Sequence, residues 1–512
     1  MYYSRQPVSV SAIFRRTVRH RASINIEKHL FTDWRITCCR STNIVWMPKP
    51  AKTGDRHDIV LIGAGIMSAT LGVLLKELDP RLKITVYEVH DKPAQESSNA
   101  WNNAGTGHAA LCELNYTPQM ADGTIDIGDA LRVNTEFDLS RQLWSYLVKR
   151  GIIGDPKSFI HAVPHCSFVR GKDNVAYLRK RFDTLTGNHC YFGMEFSNER
   201  AQLAEWFPWI MEGRDPFDTV AATRMRTGTD VDYGALTHMV FDSLRSREGV
   251  SVNFSHRVMD ITRDGASWRL RIRNDQTGEH RDSWSKFVLI GAGGGSLALL
   301  QKSGIPEAHG YGGIPVSGIW LRCDDHMIAR RHHAKVYGKA AAGTPPMSVR
   351  HLDTRYVDGK VSLLFGPYSA FSTKFLQHSS YPETPKERLE GLREFFPLAR
   401  EKDWRPEVAG QWVQIIKKDP VLGGGIPQFD TELVSSADRS IVAMLGASPG
   451  ASTAVAIMIE VLERCFPDKL KNGWGSRLKD MIPTYGQSII DSPTLCREIR
   501  AKTAEILHLT NV

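Results

Sequence analysis

Apolar positions change period along this chain, and the changes mark its elements. Residues 59–62 are a short run of Ile, Val and Leu, the pattern of a strand buried on both faces. GAGIMS follows at once, then about ten residues of helical pattern to Leu78, a turn at Asp79-Pro80, and a second apolar run, Ile84 to Tyr87. The period-3.6 pattern returns at 129–150, where Ala130, Val133, Phe137, Leu143, Leu147 and Val148 share a stripe. It predicts further helices over YLRKRFDTL (177–185) and 233–247. Strands are predicted at 159–170, at 250–254, from Val258 into SWRLRIRN, and at FVLI (287–290). From 311 to 376 the chain alternates apolar and polar residues in several short runs, with a hairpin signal at Asp358-Gly359. A helix at 385–397, a strand at 410–417, and a strand, glycine loop and helix over 440–466 complete the pattern.

The first of these units carries chemistry. Gly63 and Gly65 permit a tight turn and close approach to a pyrophosphate, and the small Ser68 lets helix and strand pack closely. The helix N-terminus then faces the phosphates, and Glu88 ends the second strand where a carboxylate can accept both hydroxyls of an adenosine ribose. An acid there favours FAD or NAD over NADP. The Asn-, Gly- and Thr-rich stretch 91–118 offers Asn103, Gly105, Thr106 and His108 as small or polar groups along the cofactor. Two later glycine turns, Gly291 with Gly293 and Gly446-Ala447-Ser448-Pro449-Gly450 running on to Ser452 and Thr453, return to the same place, and Val258 joins them from its strand. The helix N-terminus near Ser448 to Thr453 suits a flavin pyrimidine, where negative charge gathers on reduction.

The fold class expected is α/β: a Rossmann-like FAD-binding domain in three separated pieces, interleaved with a substrate domain on an antiparallel sheet. The bounds are 55–128, 221–308 and 435–512 for the first, and 129–220 and 309–434 for the second. Late segments that wrap the cofactor suit a tightly held FAD better than an exchanging NAD.

Composition changes the picture little. At 512 residues, 42% hydrophobic and 24% charged, the chain is ordinary for a globular protein. The net charge of +9 is concentrated in residues 1–46, which carry +6 and leave +3 for the rest, so nucleic-acid binding is not expected. Residues 1–54 are expected to lie outside the fold, 1–46 reading as a non-native extension before Met47 or, less favoured, an organellar transit peptide. The eight cysteines form no CxxC pair, no metal site is indicated, and a reducing compartment is expected. The longest apolar stretch, 59–75, is the βα unit itself and no membrane span.

Several stretches together resemble the malate:quinone oxidoreductase family: IVLIGAGIMSATLG, ESSNAWNNAGTGHAALCELNYTP, TRMRTGTDVDYGALT, PPMSVRHLDTR, LLFGPYSAFSTKFL, GQWVQIIKKD and LGASPGASTAV, spread from about residue 56 to 480. The wider relatives are flavin oxidases of the D-amino-acid-oxidase type. The resemblance implies FAD-dependent oxidation of (S)-malate to oxaloacetate, with hydride passing to flavin N5 and electrons going on to a lipid quinone. It also implies peripheral contact with the cytoplasmic face of a bacterial inner membrane, and work in the tricarboxylic acid cycle and respiratory chain. The alternatives are another flavin-dependent 2-hydroxy-acid or amino-acid oxidase, or a non-catalytic FAD-binding protein. Two positions depart from the family pattern: Arg350 stands where the family has Pro, and Trp412 where it has Arg.

The chemistry needs a base and cations for two carboxylates. In VRHLDTR, His351 and Arg355 lie four apart and share a face if the segment is extended, with Arg350 facing the other way. His351 is the candidate base, Arg355 the candidate clamp, and His108 the rival base; Lys374 and Gln411 are weaker polar candidates. The plainer alternative for VRHLDTR is a solvated edge strand with an ion pair to Asp353. The last stretch, SPTLCREIRAKTAEILHL, carries Leu495, Ile499, Ile506 and Leu507 beside Arg497, Arg500 and Lys502 and is the candidate lipid-facing helix.

Overall fold

The computed structural model describes residues 55–340, 349–371, 382–418, 424–428, 431–446 and 450–510. Strand β1 (Asp55–Ile62) feeds helix α1 (Ile66–Leu78), which returns to strand β2 (Ile84–Tyr87). Val60 and Leu61 are fully buried, as a strand apolar on both faces must be. Helix α1 is buried almost all round, because it sits between the sheet and a second layer of helices. Gly72 lets that second layer approach: a Cβ there would stand 3.0 Å from Leu244 of the helix Tyr233–Arg245.

The eight-stranded sheet runs Glu432–Ser435, Ile441–Leu445, His280–Ile290, β1, β2, Val250–Asn253, with an antiparallel meander of His256–Asp264 and Ser267–Asn274 on His280–Ile290. The last five strands of that order, from Ile441–Leu445 to Val250–Asn253 at the edge, are mutually parallel. The predicted βαβ core is therefore present, and its neighbours come from distant parts of the chain. The ten-stranded sheet is almost wholly antiparallel and centres on Tyr311–Cys323, Lys360–Phe371 and His351–Val357. The hairpin joining the last two turns at Asp358 and Gly359, both with positive φ, as its Asp-Gly signal requires.

Four details differ from the sequence pattern. The strand expected at 159–170 is two strands, Ile160–Ala162 and His165–Arg170, in different sheets; Pro164 between them has no N–H to continue a ladder. The sheets also change hands a few residues from the expected bounds, since Val220–Met225 belongs to the ten-stranded sheet and Glu432–Ser435 to the eight-stranded one. The helix Gly128–Lys149, expected to open the substrate part, packs against Ala454–Cys465 and Pro493–Ile506, helices of the nucleotide side. Finally, the helix Pro493–Ile506 turns its apolar side inward: Cys496 and Ile499 are buried, and so is Leu507 just beyond it. The face expected to lie on lipid is thus occupied by protein. Among the described residues no helix is long and apolar enough to cross a membrane.

Candidate functional site

Where the two sheets meet, a cavity of about 750 Å³ opens over the C-terminal ends of β1 and β2. The position is the one an open parallel sheet offers a nucleotide. Of the residues expected to touch a cofactor, Gly63, Gly65, Glu88, Asn103, Gly105, Thr106, Val258, Gly291, Gly293, Gly446, Gly450 and Ser452 line it. Ser68 does not: it is fully buried behind the turn, where its Oγ is 3.0 Å from the point a Gly291 Cβ would take. Thr453 is buried at the start of the helix Ala454–Cys465 and also lies off the lining. Ser448 and Lys374 lie outside the described residues, as does the side chain of Trp412.

The nucleotide end is shaped by backbone contacts. Gly63 has φ +95°, and a Cβ on it would come within 2.5 Å of the Gly291 carbonyl oxygen. Both atoms belong to rigid strand ends, so neither can move away cheaply. Gly63→Val is expected to yield protein whose flavin-to-protein absorbance ratio is at least tenfold below wild type; an unchanged ratio would show that the turn tolerates a side chain. Glu88 accepts hydrogen bonds from the Ala64 N–H at 2.6 Å and the His90 N–H at 2.9 Å, which fixes the carboxylate at the cavity wall. Helix α1 lacks a side-chain cap of its own; Ser98 supplies one from the next loop, its Oγ accepting the Ile66 N–H at 3.0 Å. These features fit a dinucleotide, with the carboxylate at the ribose and free N–H groups at the pyrophosphate.

The loop through Asn103 is held from behind with unusual completeness. Four consecutive carbonyls each meet a donor: Asn103 from Arg355 Nη1 at 2.6 Å, Ala104 from Lys335 Nζ at 2.8 Å, Gly105 from the Val231 N–H at 2.6 Å, and Thr106 from Tyr233 Oη at 3.0 Å. Ser452 Oγ also donates to Thr106, at 2.9 Å, and so ties the third glycine loop to the first. The two cations share one anion. Arg355 Nε and Lys335 Nζ each lie 2.8 Å from Asp230 Oδ1, and all three side chains are completely buried. Gly105 is needed here, because a Cβ would stand only 2.3 Å from the Arg355 guanidinium carbon.

Arg355 therefore does not act where the sequence pattern put it. It shares a strand and a face with His351 but lies off the cavity lining. Four residues of strand span about 13 Å, further than a small dicarboxylate reaches. Same-face parity is satisfied; depth is not.

His351 does line the cavity. Its Nδ1 is 2.7 Å from Asp353 Oδ2, and its ring stacks on Tyr337 with centroids 4.0 Å apart and meets Trp320 at 5.4 Å. The strand His351–Val357 is interior, not a solvated edge, and Asp353 is fully buried. Burial alone would raise the Asp353 carboxyl, but the His351 and Lys335 charges outweigh it and hold the pKa below the usual range. An ionised Asp353 accepts a hydrogen bond from His351 Nδ1–H, and in the neutral ring this leaves Nε2 as the nitrogen with a free lone pair. Trp320 lines the same end, and its Nε1 has no hydrogen-bond partner among the described residues.

His108 also lines the cavity, with Nδ1 bonded to Glu113 Oε1. Burial pushes the Glu113 carboxyl up, but the charge of His108 dominates and holds it at about 2. The sequence pattern brought together His351, His108 and the glycine loops. It missed Asp353 as an orienting partner, and Glu113, Asp230, Lys335, Tyr337, Trp320 and Ser98 altogether. Only Glu113, five residues from His108 in the same motif, had a local signal.

Comparison with known proteins adds an independent line. The family described as malate:quinone oxidoreductase matches residues 55–386 and 381–509. A probable malate:quinone oxidoreductase of Bradyrhizobium diazoefficiens is 55% identical over 498 residues, covering 90% of this chain and 97% of that protein. A probable malate:quinone oxidoreductase 2 of Pseudomonas aeruginosa is 50% identical, covering 88% and 96%. Among solved structures, the FAD-bound L-α-glycerophosphate oxidase of Mycoplasma pneumoniae superposes with a TM-score of 0.56 at 13% identity, covering 80% of this chain and 95% of that one. Glycine oxidase of Geobacillus kaustophilus gives 0.56 at 15% identity with the same coverage. These two establish likeness of fold.

Proposed function

The chain belongs to the malate:quinone oxidoreductase family, and from that premise we propose how its residues divide the work. The protein is an FAD-dependent enzyme that oxidises malate to oxaloacetate and uses a quinone as acceptor. Bound FAD would supply a hydride acceptor for C2 of malate and a two-electron donor for the quinone. Everything else falls to the protein.

Gly63, Gly65 and Glu88 would hold the cofactor's adenosine and pyrophosphate, and Asn103 to Thr106 with Gly446, Gly450 and Ser452 would lie along the rest of it. Malate lies at the His351 end of the cavity. His351 Nε2 takes the hydroxyl proton of malate as the C2 hydride leaves, and Asp353 holds the imidazole in the tautomer this requires and stabilises the imidazolium formed. The supporting observation is one of continuity: a single cavity runs from the nucleotide turn to a buried histidine–aspartate pair.

A lipid quinone requires that the protein meet a membrane, and we assign that contact to a peripheral face on the cytoplasmic side of a bacterial inner membrane. The inward-turned helix Pro493–Ile506 does not provide it.

The test is direct. Purified protein is expected to show a bound-flavin spectrum, to bleach with malate in the absence of oxygen, and to recover on addition of a ubiquinone analogue. Bleaching by glycine or 2-hydroxyglutarate but not by malate would move the protein to another oxidase activity.

A further inference from the structure

Two histidine–carboxylate pairs face this one cavity, and the oxidation of malate uses only one of them. We propose that the second, His108 with Glu113, is the proton donor for reduction of the quinone. The inference deepens the malate:quinone reading and rests on it.

The two pairs are built alike. Each imidazole gives Nδ1 to a buried carboxylate, Asp353 for His351 and Glu113 for His108. Each is fixed by its surroundings: His351 lies flat on the Tyr337 ring, and His108 meets the same ring edge-to-face at 6.4 Å while its backbone N–H donates to Ser452 Oγ at 3.0 Å. The Glu113 carboxylate is further held by the Cys112 N–H, which donates to Oε2 at 3.2 Å. With Nδ1 held by Glu113, Nε2 is the ring nitrogen of His108 left to exchange a proton with a ligand.

Their settings differ. The His351 side chain is 6% exposed and that of His108 17%. The cavity lining also includes Asp129 and Arg132, whose side chains are 66% and 47% exposed. Malate, a small dianion, can be enclosed at the less exposed imidazole. A quinone must keep its lipid tail outside, so its headgroup is assigned to the more exposed one, His108.

The balance closes. Malate loses a hydride and a proton to become oxaloacetate; the proton goes to His351, which returns it to solvent once oxaloacetate has left. A quinone becomes a quinol by gaining two electrons and two protons. One proton travels with the electron pair as a hydride equivalent, and the other comes from His108, which takes one back from solvent, so that one proton is released and one taken up in each turnover. A separate donor lets the quinone bind without occupying the place of the malate hydroxyl.

An acceptor that takes electrons but no proton isolates this step. Turnover with malate is measured in wild type and His108→Gln, once with a ubiquinone analogue and once with ferricyanide. The quinone-to-ferricyanide ratio is expected to fall at least fivefold in the variant. A smaller fall, whether because both rates drop together or because neither does, overturns the proposal. Glu113→Gln is expected to lower the same ratio at least fivefold and serves if His108→Gln does not fold. Wild-type protein that malate reduces but no quinone reoxidises would instead overturn the acceptor reading in the preceding subsection.

Discussion

His351→Ala is expected to slow reduction of the bound flavin by malate about 10²- to 10⁴-fold, while the purified protein keeps its flavin. The imidazole is paired through Nδ1 with a fully buried aspartate, and it stands on a strand of the ten-stranded sheet, whereas Gly63 and Glu88 follow strands of the eight-stranded one. Truncation also removes the ring that stacks on Tyr337, so alanine changes packing as well as chemistry. His351→Gln separates the two: it keeps bulk and a polar tip but has no basic nitrogen. Both variants should show the same rate loss in a stopped-flow experiment that mixes oxidised enzyme with malate anaerobically. A rate within threefold of wild type in His351→Gln would show that another group takes the proton.

Asp230→Ala, on the strand Thr229–Val231 packed against the ten-stranded sheet, should be strongly destabilising, costing about 3–5 kcal/mol. The aspartate sits between Arg355 and Lys335, all three without solvent contact. Removing it leaves two cations buried with Asp353, already engaged by His351, as the nearest anion, 3.8 Å from Lys335. Asp230 Oδ2 also accepts the Tyr356 N–H at 2.7 Å, so a backbone donor is orphaned too. The measurement is urea unfolding followed by tryptophan fluorescence. Flavin content should fall with stability, because Arg355 and Lys335 hold the carbonyls of Asn103 and Ala104. Asp230→Asn, which keeps the shape and loses the charge, should be nearly as damaging. If it is as stable as wild type, the cluster is held by packing and not by charge.

What could be read in the sequence follows the range of the forces involved. The Gly63 to Glu88 unit was legible because its strand, turn, helix and acid are neighbours in the chain, and each obeys a local steric or dipolar rule. His351 was legible as a basic group in a polar strand. Arg355 was misplaced because alternation fixes which face a side chain takes but not how far along the strand the cavity ends. Asp230 and Lys335 were invisible: the ion pairs that define them close only when the strands Thr229–Val231 and Lys335–Tyr337 arrive from separate regions. The helix Pro493–Ile506 showed an amphipathic pattern that suits lipid and protein equally, and nothing in its own sequence distinguishes the two. Of the two family departures, Arg350 lies over the Tyr368 ring with its guanidinium carbon 4.9 Å from the centroid, and it is absent from the cavity wall.

The order of strands in the parallel sheet has a consequence for the protein's birth. β1 pairs on one side with β2, made at once, but on the other with His280–Ile290, which in turn waits for Ile441–Leu445. At ordinary ribosomal speeds of about 5–20 residues per second, β1 emerges roughly 20–75 seconds before its sheet can close. For that interval the parallel sheet keeps an open edge, first at β1 and then at His280–Ile290, and an unfinished core, so nascent chains arrested short of residue 441 should bind holdase chaperones and no flavin. Cofactor loading is thus confined to the end of translation, and a flavin signal on ribosome-bound chains would report completion of the polypeptide itself.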